Sequence, residues 1–197
     1  MRKSILLVLV FFTSLTALTQ DFSNKGKEFW LCFPNHIPSG PNGQMNIWIT
    51  SDQASSGTIT LSNGTFNTTF SVAANGITSI NIPHNLAHIS NVESGIIIQK
   101  SIRIQVDAGQ PAVVAYVQQF GNARSAATLL LPTNVLGKKY RAVSFTHTAV
   151  SGGGQNSRSQ FQIIATQPNT QVEVTPYADG VKGTPFTIVF PNVGDMY

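Results

Sequence analysis

Residues able to do chemistry are few in this chain, and their spacing argues against catalysis. His84 and His88 stand four apart, the spacing that sets two imidazoles on one helical face as a zinc site needs. Pro83 precedes the pair, no Glu lies between them, and a third ligand would have to come from His36 or His147. They read as loop histidines, and no metal is expected. The acids number eight. A glycosidase needs two carboxylates held at a fixed separation across a cleft. Asp52, Glu93 and Asp107 are the plausible set, beside Glu28 and Glu173; Asp21, Asp179 and Asp195 lie near the ends or in turns. Asp52 and Asp107 fall at strand ends, where an aspartate caps a turn. Cys32, the one cysteine, sits in the apolar run Phe29-Trp30-Leu31-Cys32-Phe33. Burial there raises a thiol pKa and leaves it inert, so a Cys–His nucleophile is not expected. No Gly-x-Ser-x-Gly elbow occurs, and Gly152-Gly153-Gly154 lacks the Gly-Lys-Ser/Thr that ends a phosphate loop. The chain reads as a non-enzyme with no catalytic residues and no cofactor.

Two groups remain as candidates for binding. Gly152, Gly153, Gly154 and Gln155 form a flexible hairpin loop within residues 149–158, and loops on β-scaffolds carry recognition. Trp30 and Trp48, joined by Tyr116 and Phe120, would make an aromatic platform for a sugar if two or three rings were exposed and coplanar. Each tryptophan is flanked by alternating apolar residues, which favours core packing instead. Asn63-Gly64-Thr65 and Asn67-Thr68-Thr69 match the N-glycosylation pattern, but their threonines read as solvent-facing strand residues.

The elements that would position these residues are strands. Asn46-Ile47-Trp48-Ile49-Thr50, Thr58-Ile59-Thr60-Leu61, Ser79-Ile80-Asn81-Ile82 and Ile102-Arg103-Ile104-Gln105-Val106 alternate apolar and polar. Period-2 alternation puts the apolar set on one face, as in half-buried antiparallel sheets. Further strands are expected over 112–117, 141–145, 161–166, 172–175 and 186–190. Turn signals recur at close spacing, and Asn63-Gly64 and Asn75-Gly76 read as hairpins. Helix is expected only in short stretches at 83–90 and 132–136. The pattern predicts an all-β fold, an antiparallel β-sandwich. Residues 49–60 echo residues 164–175 as strand, polar turn and alternating strand, which implies two tandem or interleaved sandwich-like units. The second copy stops at Tyr197 before its hairpin returns, so truncation at the C-terminus is expected.

The first twenty residues read as an address. Arg2 and Lys3 precede an apolar run over 5–12 and a small, polar stretch ending Ala17-Leu18-Thr19-Gln20. That is the layout of a secretory signal peptide, expected over 1–19, with the mature domain over 20–197. The run is shorter than the ~20 residues a bilayer requires, so no integral membrane span is expected after the leader is removed. Removing Arg2 and Lys3 leaves ten basic residues against eight acidic, a net charge of +2. Only 10% of the chain is charged, and Ser, Thr, Asn and Gln make up about a third of it. A nucleic-acid binder would carry a dense basic face, so nucleic acid is excluded as a partner. With 42% apolar residues and sparse charge, the chain is not disordered. One cysteine rules out an internal disulfide, so the fold rests on its own core.

Several runs, in order, resemble a known family. They are Gly26-Lys27-Glu28-Phe29-Trp30-Leu31-Cys32-Phe33-Pro34-Asn35, residues 49–54, and Leu130-Leu131-Pro132-Thr133-Asn134-Val135-Leu136-Gly137-Lys138-Lys139-Tyr140. Ser159-Gln160-Phe161, Ile164-Ala165-Thr166 and Asn169-Thr170-Gln171-Val172 complete the set. Over residues 25–197 the chain resembles the N-terminal domain of IgGFc-binding protein, as found in many exported bacterial proteins. The resemblance implies a β-rich extracellular module, often at the N-terminus of a large surface or secreted protein, with no catalytic residues to carry over. Gln20 directly after the cleavage point suits a Bacteroidetes-type exported protein.

The expected function is that of a non-enzymatic module, secreted or at the cell surface, serving adhesion or recognition of an extracellular glycan or protein. A carbohydrate-binding or hydrolase-associated module using Trp30 or Trp48 with Asp52 is the first alternative. A structural spacer in a surface fibre is the second.

Overall fold

The computed structural model describes residues 23–35, 43–121, 124–143, 160–178 and 180–197. The expected leader, His36, His147 and the loop residues Gly152, Gly153, Gly154 and Gln155 lie outside the described residues.

In chain order the strands of the larger unit are β1 (Glu28–Leu31), β2 (Gln44–Ser51), β3 (Ser55–Leu61), β4 (Asn67–Val72), β5 (Gly76–Ile82), β6 (Ile102–Val106), β7 (Val114–Gly121) and β8 (Arg124–Leu129). They form two antiparallel four-stranded sheets, β1-β6-β3-β4 and β5-β2-β7-β8. Alternation in sequence becomes alternation in burial. In β2, Met45, Ile47 and Ile49 are fully buried, while Asn46, Trp48 and Thr50 take the other face. Phe29, Ile59 and Ile104 lie side by side across β1, β3 and β6 and are likewise fully buried. The apolar faces of both sheets form one core that also takes in Phe33, Phe70, Ile82 and Ile102. Each such side chain contributes about 1.5–3 kcal/mol by leaving water. The result is a β-sandwich held by its core, as the alternation predicts.

Short segments close the ends. The helix α1 (His84–Ala87) and the 3-10 turn Thr133–Val135 fall where the sequence allows helix, and a second 3-10 turn, Asn91–Glu93, lies just beyond the expected 83–90 stretch. Gly26 exchanges two backbone hydrogen bonds with Val113, which ties the start of β1 to the opposite sheet. Pro132 packs directly on Gly26, and Thr133 donates its hydroxyl to Glu28 at 3.2 Å, so the 130–136 run caps β1.

Asn63-Gly64 is a hairpin turn between the paired strands β3 and β4, with Gly64 at φ +75°. Asn75-Gly76 is not. It joins β4 to β5, which pair with β3 and β2 in different sheets, so the turn is an arch between layers. Asn75 takes φ 54°, a left-handed conformation asparagine tolerates better than most residues. β8 was not expected from the pattern, whereas residues 141–143, within an expected strand, are exposed and irregular.

Where a second sandwich-like unit was expected, the described residues hold a smaller unit of two antiparallel strand pairs rather than a second sandwich. Its strands are β9 (Thr170–Val174), β10 (Tyr177–Ala178), β11 (Val181–Lys182) and β12 (Phe186–Phe190). β9 pairs with β12, and β10 with β11 as a nested hairpin. Its own cluster is Ala165, Ile188 and Phe190, with Ile163, Val172, Val174 and Tyr197 packed around it. The echo between 49–60 and 164–175 holds only from the turn onward, each turn leading into an antiparallel pair, β3 with β4 and β9 with β12; residues 161–166, expected as a strand, carry only an isolated bridge from Ile164 to Met196. The smaller unit meets the sandwich at a seam. Ile98 and Met196 exchange backbone hydrogen bonds, Ser101 donates to the Gly194 carbonyl at 2.6 Å, and buried Asp195 accepts from Gln99 at 3.1 Å.

Candidate functional site

The two tryptophans cannot form one platform. Trp30 lies on the outer face of β1-β6-β3-β4 and Trp48 on the outer face of β5-β2-β7-β8, because Phe29 and Leu31, and Ile47 and Ile49, fill the core between them. Both are half-buried rather than in the core.

Trp30 belongs to the seam. Its ring lies against Gly194, where an added Cβ would come within 3.0 Å of Trp30 Cζ3. The Arg103 guanidinium stands 5.7 Å from the ring centroid. Arg103 is itself held by Glu28 at 2.7 Å and by Gln105 at 2.8 Å. The rest of that outer face is largely hydroxyls: Thr60 lies beside Arg103, Thr58 beside Gln105, and Thr69 beside Thr58. This is an ordinary solvated sheet surface carrying one structural ring.

The other outer face has a different chemistry. Cross-strand register places Ser79, Trp48, Tyr116 and Leu129 in one row. The next row is Asn81, Asn46, Gln118 and Ala127, and the one after that is Gln44, Phe120 and Ser125. No side chain in these rows carries a charge at neutral pH. Tyr116 and Phe120 are each 41% exposed. Asn81 donates to Asn46 Oδ1 at 3.0 Å, which fixes the orientation of both amides. β2 and β7 place these groups so because their other phase, Met45, Ile47, Ile49 and Ala115, Val117, is committed to the core. Tyr116 and Phe120 were legible in sequence; Asn46, Asn81 and Gln118 were missed. The signal was a polar phase made of amides and rings, where an ordinary solvent face carries Thr, Lys and Glu.

The remaining candidates hold structure. Asp52 pairs with Lys25 at 3.0 Å across an exposed turn, and that hydrogen bond leads the causes that lower its pKa. It stands at the β2–β3 turn. Asp107 accepts from Ser56 at 2.6 Å, capping the end of β6. Glu93 accepts from Ser90 in a capping box and pairs with Lys100 at 2.7 Å. Partial burial opposes its ionisation, but the Lys100 and Ser90 hydrogen bonds prevail and hold its pKa below the usual value. Cys32 donates to Gln162 at 3.0 Å, and burial pushes its thiol up to about 12. The rings of His84 and His88 stack at 4.6 Å, and neither Nε2 has a partner among the described residues. Burial lowers the His88 pKa first, with His84 and Lys100 adding repulsion. The described residues contain no group of three or more His, Cys, Asp or Glu side chains that could hold a metal ion.

No helix among the described residues is long and apolar enough to cross a membrane. No curated protein and no solved structure matches the chain. One family model does, across β8, the smaller unit and the turn after β12. Residues 126–193, about a third of the chain, match the family described as IgGFc binding protein.

Proposed function

We propose that the chain is an extracellular, non-catalytic recognition module that holds its partner on the outer face of the β5-β2-β7-β8 sheet. The observation that carries this reading is the composition of that face: half-exposed rings interleaved with amides and no charge. Cross-strand pairing returns little to a solvated sheet face for exposing aromatic rings, and exposed apolar surface rimmed by polar groups marks interaction sites. The match to a binding-domain family and the export leader expected at 1–19 agree with an extracellular role. The carboxylates that a hydrolase-associated module would need are tied to Lys25, Ser56, Lys100 and Arg103.

The test is attachment of the full chain, expressed for export, to an array of extracellular glycans and proteins. A saturable hit that Tyr116→Ala with Phe120→Ala weakens at least tenfold, and that Thr58→Ala with Thr69→Ala leaves alone, supports the face. Attachment that survives the ring substitutions but is lost on deleting Gly152 to Gln155 moves recognition to that loop and overturns the reading.

A further inference from the structure

We infer that the partner of this face is a neutral glycan, bound as an extended oligosaccharide lying along β2 and β7; the inference rests on the docking face proposed above. The argument is the order of the rows. Trp48 and Tyr116 form one ring pair, Asn46 and Gln118 the amide pair beside it, and Phe120 the next ring. Residues two apart on one strand face are about 6.6 Å apart, so Tyr116 and Phe120 bracket about 13 Å with the amides between. That span suits a chain of sugar rings rather than a single ring.

Each group matches a feature of a pyranose. Ring faces are negative at their centre and attract the polarised C–H groups of a sugar. A carboxamide offers both donors and an acceptor, as vicinal hydroxyls do. The Asn81–Asn46 hydrogen bond fixes one amide pair before any ligand arrives, which lowers the ordering cost of binding. The three rows carry no charge, which selects against uronic acids and sulfated sugars, since these would lose solvation there and meet no cation in the rows. A protein partner fits less well. Protein interfaces centre on desolvated aromatic, Met or Arg anchors seated in pockets, whereas this face is a sheet surface with an amide row through its middle.

The test is titration of the full chain with soluble tetramers of neutral hexoses and of N-acetylglucosamine, and with uronic-acid and sulfated oligomers. Trp48 fluorescence is read in a Trp30→Phe background, where it is the remaining tryptophan. A neutral tetramer should quench Trp48, with a dissociation constant that changes less than twofold between 0.05 and 0.5 M salt, since no ion pair is screened (roughly 14 and 4 Å Debye lengths). Asn46→Ala and Gln118→Ala should each weaken that binding about tenfold while Phe120→Ala abolishes it. Preferential binding of the anionic oligomers, or a steep salt dependence, overturns the glycan assignment. A protein ligand lost with Tyr116→Ala, and no sugar bound, also overturns it while leaving the docking face in place. Sugar binding unchanged in all the face variants overturns both.

Discussion

Gly194 is the most direct test of how the smaller unit is held to the sandwich. It sits at φ +84°, and an added Cβ would come within 2.8 Å of Ser62 Cβ, 3.0 Å of Trp30 Cζ3 and 3.2 Å of Ser101 Oγ. Gly194→Ala therefore carries two costs. Left-handed backbone costs an L-residue about 1–2 kcal/mol, and overpacking a fitted contact costs about 1–3 kcal/mol more. Gly64→Ala isolates the first of these, because Gly64 has φ +75° with nothing within 4 Å of the added carbon. Both alanines restrict the unfolded chain alike, a gain of about 0.4–1 kcal/mol that cancels in the comparison. The expected difference between the variants is about 1–3 kcal/mol. Urea unfolding followed by tryptophan fluorescence measures it, since Trp30 lies in the seam. Hydrogen exchange locates it: the amides of Met196, Ala165 and Ile163 should lose protection, while Ile104 and Ile47 in the sandwich should not. Equal losses for the two variants, or uniform loss of protection, would refute the view that Trp30 and Gly194 form the seam.

Gln119 faces inward with its Oε1 buried and without a partner among the described residues, so Gln119→Met should raise stability by about 1 kcal/mol, read as a urea midpoint shifted upward at unchanged slope. His88 has a lowered pKa because partial burial and its neighbours His84 and Lys100 disfavour its charge, with Glu93 opposing. Its neutral form is the one the fold accepts, so the unfolded chain takes up the proton first, and stability falls as pH drops below about 6.5 toward the lower folded value. The melting temperature should decline over that window more steeply in the parent chain than in His88→Gln; identical slopes would remove His88 as the cause. Cys32, with its thiol at about 12, should resist a thiol reagent at pH 8 in the native chain and react once urea unfolds it.

The core was readable from sequence because each buried strand repeats with period two. Ile47, Ile49, Ile59, Ile102 and Ile104 all fall on the face their alternation predicts. β8 escaped because Arg124-Ser125-Ala126-Ala127-Thr128-Leu129 lacks a strong apolar phase, and from Ser125 to Leu129 the residues are exposed whichever face they take. The arch at Asn75-Gly76 looked like the hairpin at Asn63-Gly64 because the dipeptide sets local backbone geometry only. Which strand β5 pairs with is decided by β2, some thirty residues earlier. The same limit applied to the aromatic candidates. Sequence flanks Trp30 and Trp48 with alternating apolar residues and so favours the core for both, whereas both stand on outer faces; assigning each to a sheet requires the non-local pairing.

That assignment gives the two tryptophans opposite roles. Each sheet must present one face to the core and one outward, so every second residue on β1 and β2 is released from packing duty. On the β1 sheet the released positions became threonines and an ion pair, and the one ring among them is spent against Gly194. On the β2 sheet they became rings and amides, with Tyr116 and Phe120 left 41% exposed among the described residues. Cross-strand aromatic pairing returns at most about 1 kcal/mol per pair, and Phe120 sits opposite Gln44 and Ser125, so it has no ring beside it in its row. Stability alone therefore accounts poorly for Phe120, whereas a ligand that stacks on it accounts for its exposure and for the amide row beside it. For this reason the Phe120 substitution discriminates best: it should leave the unfolding free energy within about 0.5 kcal/mol of the parent, as a surface change does, while removing binding.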